Sequence, residues 1–285
     1  MGNGWHEWPL MVFTVLGQCV VGGFIVLALV LLGKCTEEEA RRIHLSMFCL
    51  WVLMGLAFIA SLLHLGSPLR AFNSLNRLGA SALSNEIGSG SLFFALGGIY
   101  WLLAILNKIP PALGKIWLVI TMLAGVGFVY AMCLVYKIDT VPTWNNAYTA
   151  LSFGLTVFIG GPLLAALLLR MANIERRTLR LLPMISLAAL MVSFAVVIMQ
   201  GASLAMINSS VQAASALIPQ YGTLSAWRLV LIALGLGCWF CPLIMRKRPA
   251  LASMVLAFVL VFASELIGRA IFYGLHMTVG MAIGS

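Results

Sequence analysis

Long apolar runs alternate with short clusters of charge, glycine and proline from one end of the chain to the other. The runs are about 20 residues long, the length at which an α-helix crosses the hydrocarbon core of a bilayer. Eight segments meet this description: Leu10–Gly33, Leu45–Leu65, Ser89–Leu106, Ile116–Tyr136, Thr149–Leu169, Leu181–Gln200, Ser225–Met245 and Ala250–Tyr273. The third is the shortest, because Glu86 and the run Gly88-Ser89-Gly90 delay its start. The pattern predicts an all-α polytopic membrane protein with eight transmembrane helices, a single integral membrane domain over residues 1–285.

Composition sharpens that reading. Hydrophobic residues make up 62% of the 285 and charged residues only 9%, against about 25% charged in soluble domains. Soluble, disordered and collagen-like chains are excluded. A net charge of +9 on a soluble protein would suggest nucleic acid. Here its placement explains it, and no nucleic-acid partner is expected. Twelve of the 17 Lys and Arg fall in four alternate loops, at Lys34–Arg42, Lys108–Lys115, Arg170–Arg180 and Arg246–Arg248. The positive-inside rule makes those loops cytoplasmic and puts both termini outside. The stretch Met1–Pro9 carries no Lys or Arg, so no cleavable signal is expected. The six cysteines lie mostly in apolar runs and read as small hydrophobes. Cys238 and Cys241 form a C-W-F-C spacing without a second pair, so no metal centre is expected in this chain.

An internal echo divides the sequence. Gly66-Ser-Pro-Leu69-Arg-Ala-Phe-Asn73-Ser74 is similar to Gly201-Ala-Ser-Leu204-Ala-Met-Ile-Asn208-Ser209, and Ala80-Ser-Ala-Leu83 recurs as Ala214-Ser-Ala-Leu217. Gly22-Gly23 is echoed by Gly160-Gly161. Two parallel four-helix repeats, about 10–136 and 149–275, account for this, since an even number of spans preserves direction. The first half carries His64, Arg70, Arg77 and Glu86 where the second carries Met199, Ala205, Gln212 and Gln220. The shared scaffold therefore does not require those four groups, which favours a chemical role for them.

Ionisable residues at membrane depth are costly and mark functional sites by default. His64, Arg70, Glu86, Arg228, Glu265, Arg269 and His276 all map near the outer face. Two-electron oxidation of a hydroquinone releases two protons and needs a proton acceptor plus a group that orients the ring oxygens. His64 meets the first need at its ordinary pKa. Glu86 meets it if burial raises its pKa, and Arg70 can orient that carboxylate or a quinone oxygen. Glu265 and Arg269 have i, i+4 spacing and read most simply as a structural ion pair. His6 and His44 read as solvated, and Trp5, Trp8, Trp144 and Trp227 as members of the interfacial aromatic belt. Haem is not expected, because a membrane haem b needs two histidines facing each other within the bilayer.

Several strings also carry a family resemblance: Gly4-Trp-His-Glu-Trp-Pro-Leu10, His64-Leu-Gly-Ser-Pro-Leu-Arg70-Ala-Phe-Asn-Ser-Leu-Asn-Arg77, Leu83-Ser-Asn-Glu86-Ile, Ile138-Asp-Thr-Val-Pro-Thr-Trp144 and Glu265-Leu-Ile-Gly-Arg269. Over nearly its whole length the sequence resembles the membrane-anchor subunit of bacterial dimethyl sulfoxide reductase, DmsC type. The resemblance implies a haem-free, inner-membrane subunit that oxidises menaquinol. Electrons would pass to an iron–sulfur subunit and then to a molybdopterin catalytic subunit, which reduces a sulfoxide or N-oxide. The family's quinol-binding residues match His64, Arg70 and Glu86 here. With no haem to carry electrons across the bilayer, the iron–sulfur partner is expected on the outer, periplasmic face. The competing reading is a secondary transporter, favoured by the repeat and by the Gly161-Pro162 break.

Overall fold

Eight helices stand where the apolar runs predict them, in a computed structural model that describes residues 3–63, 73, 75–174, 180–208 and 213–279. They are α1 Trp8–Leu32, α2 Glu37–Leu63, α3 Ala82–Ile105, α4 Pro111–Val135, α5 Ala147–Met171, α6 Leu181–Leu204, α7 Tyr221–Ile244 and α8 Leu251–Gly274. All eight are long and apolar enough to cross a membrane. A short 3-10 helix, Asn3–Glu7, precedes α1.

α2 and α3 begin furthest ahead of the apolar runs, by eight and seven residues. α2 starts at Glu37 rather than Leu45 because a capping box nucleates it. The Glu39 amide donates to Thr36 Oγ1 at 3.2 Å, and the Thr36 amide donates to Glu39 Oε2 at 3.0 Å. Glu37, Glu38 and Glu39 add negative charge at the positive end of the helix dipole. α3 starts at Ala82 rather than Ser89, so it runs straight through Gly88-Ser89-Gly90. These glycines are packing sites and not breaks: a Cβ at Gly90 would lie 2.6 Å from the Phe128 ring, and one at Gly88 2.4 Å from Leu78. Glu86 is consequently a helical residue.

α1 and α5 form the centre and are buried over most of their length. Their crossing is set by glycine. A Cβ at Gly161 would lie 2.5 Å from the Gly22 Cα, and one at Gly22 would lie 2.5 Å from the Val157 carbonyl oxygen. Without a hydrophobic drive between helices in lipid, such close backbone approach is a principal source of association. α5 continues unbroken through Pro162. α1 packs against α2 and α4, with α3 on α4; α5 packs against α6 and α8, with α7 on α8. The α3–α4 and α7–α8 turns are alike. Each reverses on a positive-φ residue, Asn107 (54°) and Arg246 (55°), 139 positions apart. In each the next amide reaches back to a carbonyl of the last helical turn, Lys108 to Leu103 and Lys247 to Pro242, which closes the helix end.

At the opposite end the polypeptide is fastened across its middle. Trp144, in the loop between α4 and α5, donates from Nε1 to the Phe272 carbonyl at 2.7 Å and stacks on the Phe272 ring. The Val279 amide donates to the Thr140 carbonyl at 2.9 Å. Gly4 packs against Ala270 and Gly274, so the N-terminal segment lies at this same end. The outer faces of the helices expose large apolar residues such as Phe48, Leu123 and Met191, as a lipid-facing surface requires.

Candidate functional site

The buried charged side chains among the described residues, Glu86, Arg228, Glu265 and Arg269, fall in two places, both towards the end where α3 begins and α4 and α8 finish. Glu86 is the first. It lies about 6 Å along α3 from Ala82, at 1.5 Å rise per residue, and is 4% exposed. One turn further along α3, Gly90 packs against the Phe128 ring. Beyond it the rings of Phe13, Phe58, Phe93, Phe94 and Phe128 form a contiguous aromatic cluster across α1 to α4. The Phe13–Phe58, Phe13–Phe128 and Phe58–Phe94 centroids lie 5.7, 5.9 and 5.8 Å apart. Gly17 and Gly90 make room for Phe128 by contributing no side chain. A carboxylate above flat apolar rings can accept a proton from a planar aromatic donor while excluding bulk water. His64 and Arg70, the other two residues assigned to this site, lie outside the described residues.

The second place is a buried charge network that α8 contributes to α1, α5 and α7. The spacing of Glu265 and Arg269 predicts that they pair with each other. Instead Glu265 pairs with Arg228 of α7, whose Nη2 lies 3.3 Å from both carboxylate oxygens. Thr156 of α5 donates its hydroxyl to Glu265 Oε2 at 2.6 Å. Arg269 turns the other way. Its Nη2 donates to Gln18 Oε1 of α1 at 2.5 Å and to Thr156 Oγ1 at 3.3 Å, and its guanidinium lies 3.7 Å over the Phe153 ring. The reason is local packing: α7 lies directly against α8 and offers a closer cation than the next turn of α8. Arg228, Glu265 and Arg269 are all buried, at 8%, 1% and 3% exposure.

Between the two stands a hydroxyl pair, Tyr136 and Tyr273, with oxygens 2.5 Å apart. Tyr136 lies just past the end of α4, where burial pushes its phenol pKa above the usual range. Gln18, Thr156, Tyr136 and Tyr273 escape a reading that looks only for groups charged at neutral pH. The available signal is that Gln18 and Thr156 are isolated hydrogen-bonding residues on otherwise apolar helices.

Two surface assignments also change. His44 is half-buried rather than solvated, with Nε2 3.0 Å from the Tyr100 hydroxyl. Trp144 serves as the clasp described above, whereas Trp5, Trp8 and Trp227 are exposed. Cys238 and Cys241 are free thiols on α7. Among the described residues, no three His, Cys, Asp or Glu converge as a metal site.

Comparison with known proteins spans the full sequence. The family model described as "DMSO reductase anchor subunit (DmsC)" matches residues 1–275. The sequence is 61% identical to the C subunit of the anaerobic dimethyl sulfoxide reductase of Escherichia coli K12, over all of both sequences. It is 58% identical to YnfH, an anaerobic dimethyl sulfoxide reductase subunit of the same organism, over 99% of each. Against the C subunit of the Haemophilus influenzae Rd enzyme the identity is 44%, again over the full length of both.

Proposed function

We propose that this protein, which belongs to the family of dimethyl sulfoxide reductase anchor subunits, binds and oxidises menaquinol in the bacterial inner membrane. It then passes the electrons to an iron–sulfur partner subunit. The observation that carries this reading is the buried carboxylate of Glu86, one turn from a glycine packed on an aromatic cluster, at the end of the bundle where Gly4 and Val279 lie.

Menaquinol gives up two electrons and two protons. Glu86 accepts one proton from a ring hydroxyl and His64 the other, while Arg70 orients the carboxylate or the second oxygen. The aromatic rings of α1 to α4 supply the flat apolar wall that a naphthoquinol ring needs. The electrons leave for the iron–sulfur subunit and from there for a molybdopterin subunit, where a sulfoxide or N-oxide is reduced. This protein is the quinol-oxidising member of that complex and not the site of terminal reduction.

The Glu86 end faces outward, a direction supported by the basic loops at the other end. The termini are then periplasmic, and the iron–sulfur partner docks on the periplasmic face. The two four-helix halves are parallel repeats; the matched turns at Asn107 and Arg246 and the glycine crossing of α1 and α5 support this. A transporter of repeat construction uses discontinuous helices at its substrate site, and the unbroken course of α5 through Pro162 weighs against that alternative.

The test is substitution of Glu86→Gln, His64→Ala or Arg70→Gln in the intact complex. Quinol-dependent turnover should fall at least tenfold while turnover with a soluble artificial donor is retained. Loss of both activities together would reflect failed assembly and remove the site assignment.

A further inference from the structure

α4 and α5 follow each other in sequence but barely meet. α4 leans on α1 and α3, and α5 on α1, α6 and α8. Between the last two turns of α4 and the first turn of α5 lies a groove of about 440 Å³, at the Glu86 end of the bundle. One water takes about 30 Å³, so the groove has room for roughly a dozen non-hydrogen atoms. Its side is open to the bilayer: Tyr130 is 65% exposed, and Ala147 and Ala150 are exposed across from it.

The groove changes character with depth. Tyr130, Leu134 and Ala150 wall its deeper part, while Lys137 and Asn145 stand at its outer rim. From Tyr130 to the end of α4 at Val135 is about 8 Å, at 1.5 Å per residue, and Lys137 lies just beyond that end. Lys137 therefore stands at the level of phospholipid head groups and Tyr130 among the acyl chains. Lys137 is exposed, and among the described residues no carboxylate pairs with it. Asp139, two positions on, does not line the groove and accepts from Asn145 Nδ2 at 3.0 Å. That amide carries a second hydrogen. An ammonium and an amide donor above an apolar trough match a phosphate above an acyl chain. A quinone offers only a neutral carbonyl, and charge-assisted bonds are about twice as strong as neutral ones.

We propose that this groove is a binding site for a phospholipid of the leaflet at the Glu86 end. Its phosphate accepts from Lys137 Nζ and Asn145 Nδ2, and one acyl chain lies over Leu134 and Ala150. The lipid fills a gap that the protein leaves between its two halves. The site is independent of the Glu86 reading, and its test does not involve quinol turnover.

The experiment uses the full complex, purified in maltoside detergent, with a phosphatidylglycerol probe that carries a photoactivatable diazirine on one acyl chain. Labelled peptides are mapped by mass spectrometry. Label is expected on Tyr130–Lys137 or Trp144–Ala150, displaced by excess unlabelled phosphatidylglycerol but not by dioleoylglycerol, which has the chains without the phosphate. In the assembled complex it should fall at least fivefold in Lys137→Gln and in Ala150→Trp, which fills the groove without touching the charge. Lys115→Gln, at the opposite end of α4, should leave it unchanged. Absence of displaceable label on those segments, equal displacement by dioleoylglycerol, or undiminished label in either groove variant overturns the proposal. Displacement by menadione and not by phosphatidylglycerol overturns it in favour of a quinone, and an equal fall in Lys115→Gln overturns it as a general loss of lipid contact.

Discussion

Glu265 is held by Arg228 and Thr156, each on a different helix. Removing one partner of a buried ion pair strands the other charge, which costs about 3–5 kcal/mol, whereas replacing both with apolar groups can be nearly neutral. Glu265→Ala is therefore expected to lower the thermal unfolding midpoint of the detergent-solubilised complex, and Arg228→Met with Glu265→Met to recover most of the loss. A double variant no more stable than the single would show that the pair holds no shared burden. At the same scale, His44 caps a contact between α2 and α3 through Tyr100. Tyr100→Phe should weaken that contact by about 1 kcal/mol, the net worth of one hydrogen bond, measurable as a small drop in the same midpoint. That Glu265 and Arg269 are buried was legible from their positions within the last apolar run. Who pairs with whom was not: i, i+4 spacing describes one helix, while Arg228, Thr156 and Gln18 reach Glu265 and Arg269 across three others.

At the scale of elements, the glycines separate into those that set contacts and those that face lipid. Gly22 and Gly161 meet backbone to backbone, while Gly127 has nothing within 4 Å of its would-be Cβ. Gly161→Leu is expected to abolish recovery of the assembled complex from membranes, and Gly127→Leu to leave it unchanged. Equal yields from both would refute the crossing. Helix number and approximate position followed from hydrophobicity alone. Two helix starts did not, because a capping box and a glycine packed on an aromatic ring are polar or neutral signals that a hydrophobicity window does not register. The correction at α3 has the larger consequence, since it moves Glu86 from a loop to a buried helical position.

For the whole molecule, orientation and chemistry are linked. The basic loops include the α3–α4 and α7–α8 turns at Asn107 and Arg246, and the Glu86 end is the opposite one. A reporter active only in the periplasm should therefore be active when fused after Met277 and inactive when inserted after Lys108. The reverse pattern would put the site on the cytoplasmic side and displace the partner's docking face with it. The scarcity of charge is what made this legible, because each of the few ionisable groups off the basic loops stands out against an apolar background. His64 and Arg70 are proposed from their match to the family pattern, whereas the proposal for Glu86 is supported by its burial as well.

The central claim is that Glu86 takes a proton from menaquinol as electrons leave this protein. It is tested most directly by mixing the intact complex anaerobically with a reduced naphthoquinol and following iron–sulfur reduction in the partner within milliseconds. The wild type should be reduced by both naphthoquinol and dithionite, and Glu86→Gln by dithionite at the same rate but by naphthoquinol at least tenfold more slowly. Naphthoquinol reduction of the Glu86→Gln complex at the wild-type rate would contradict the account.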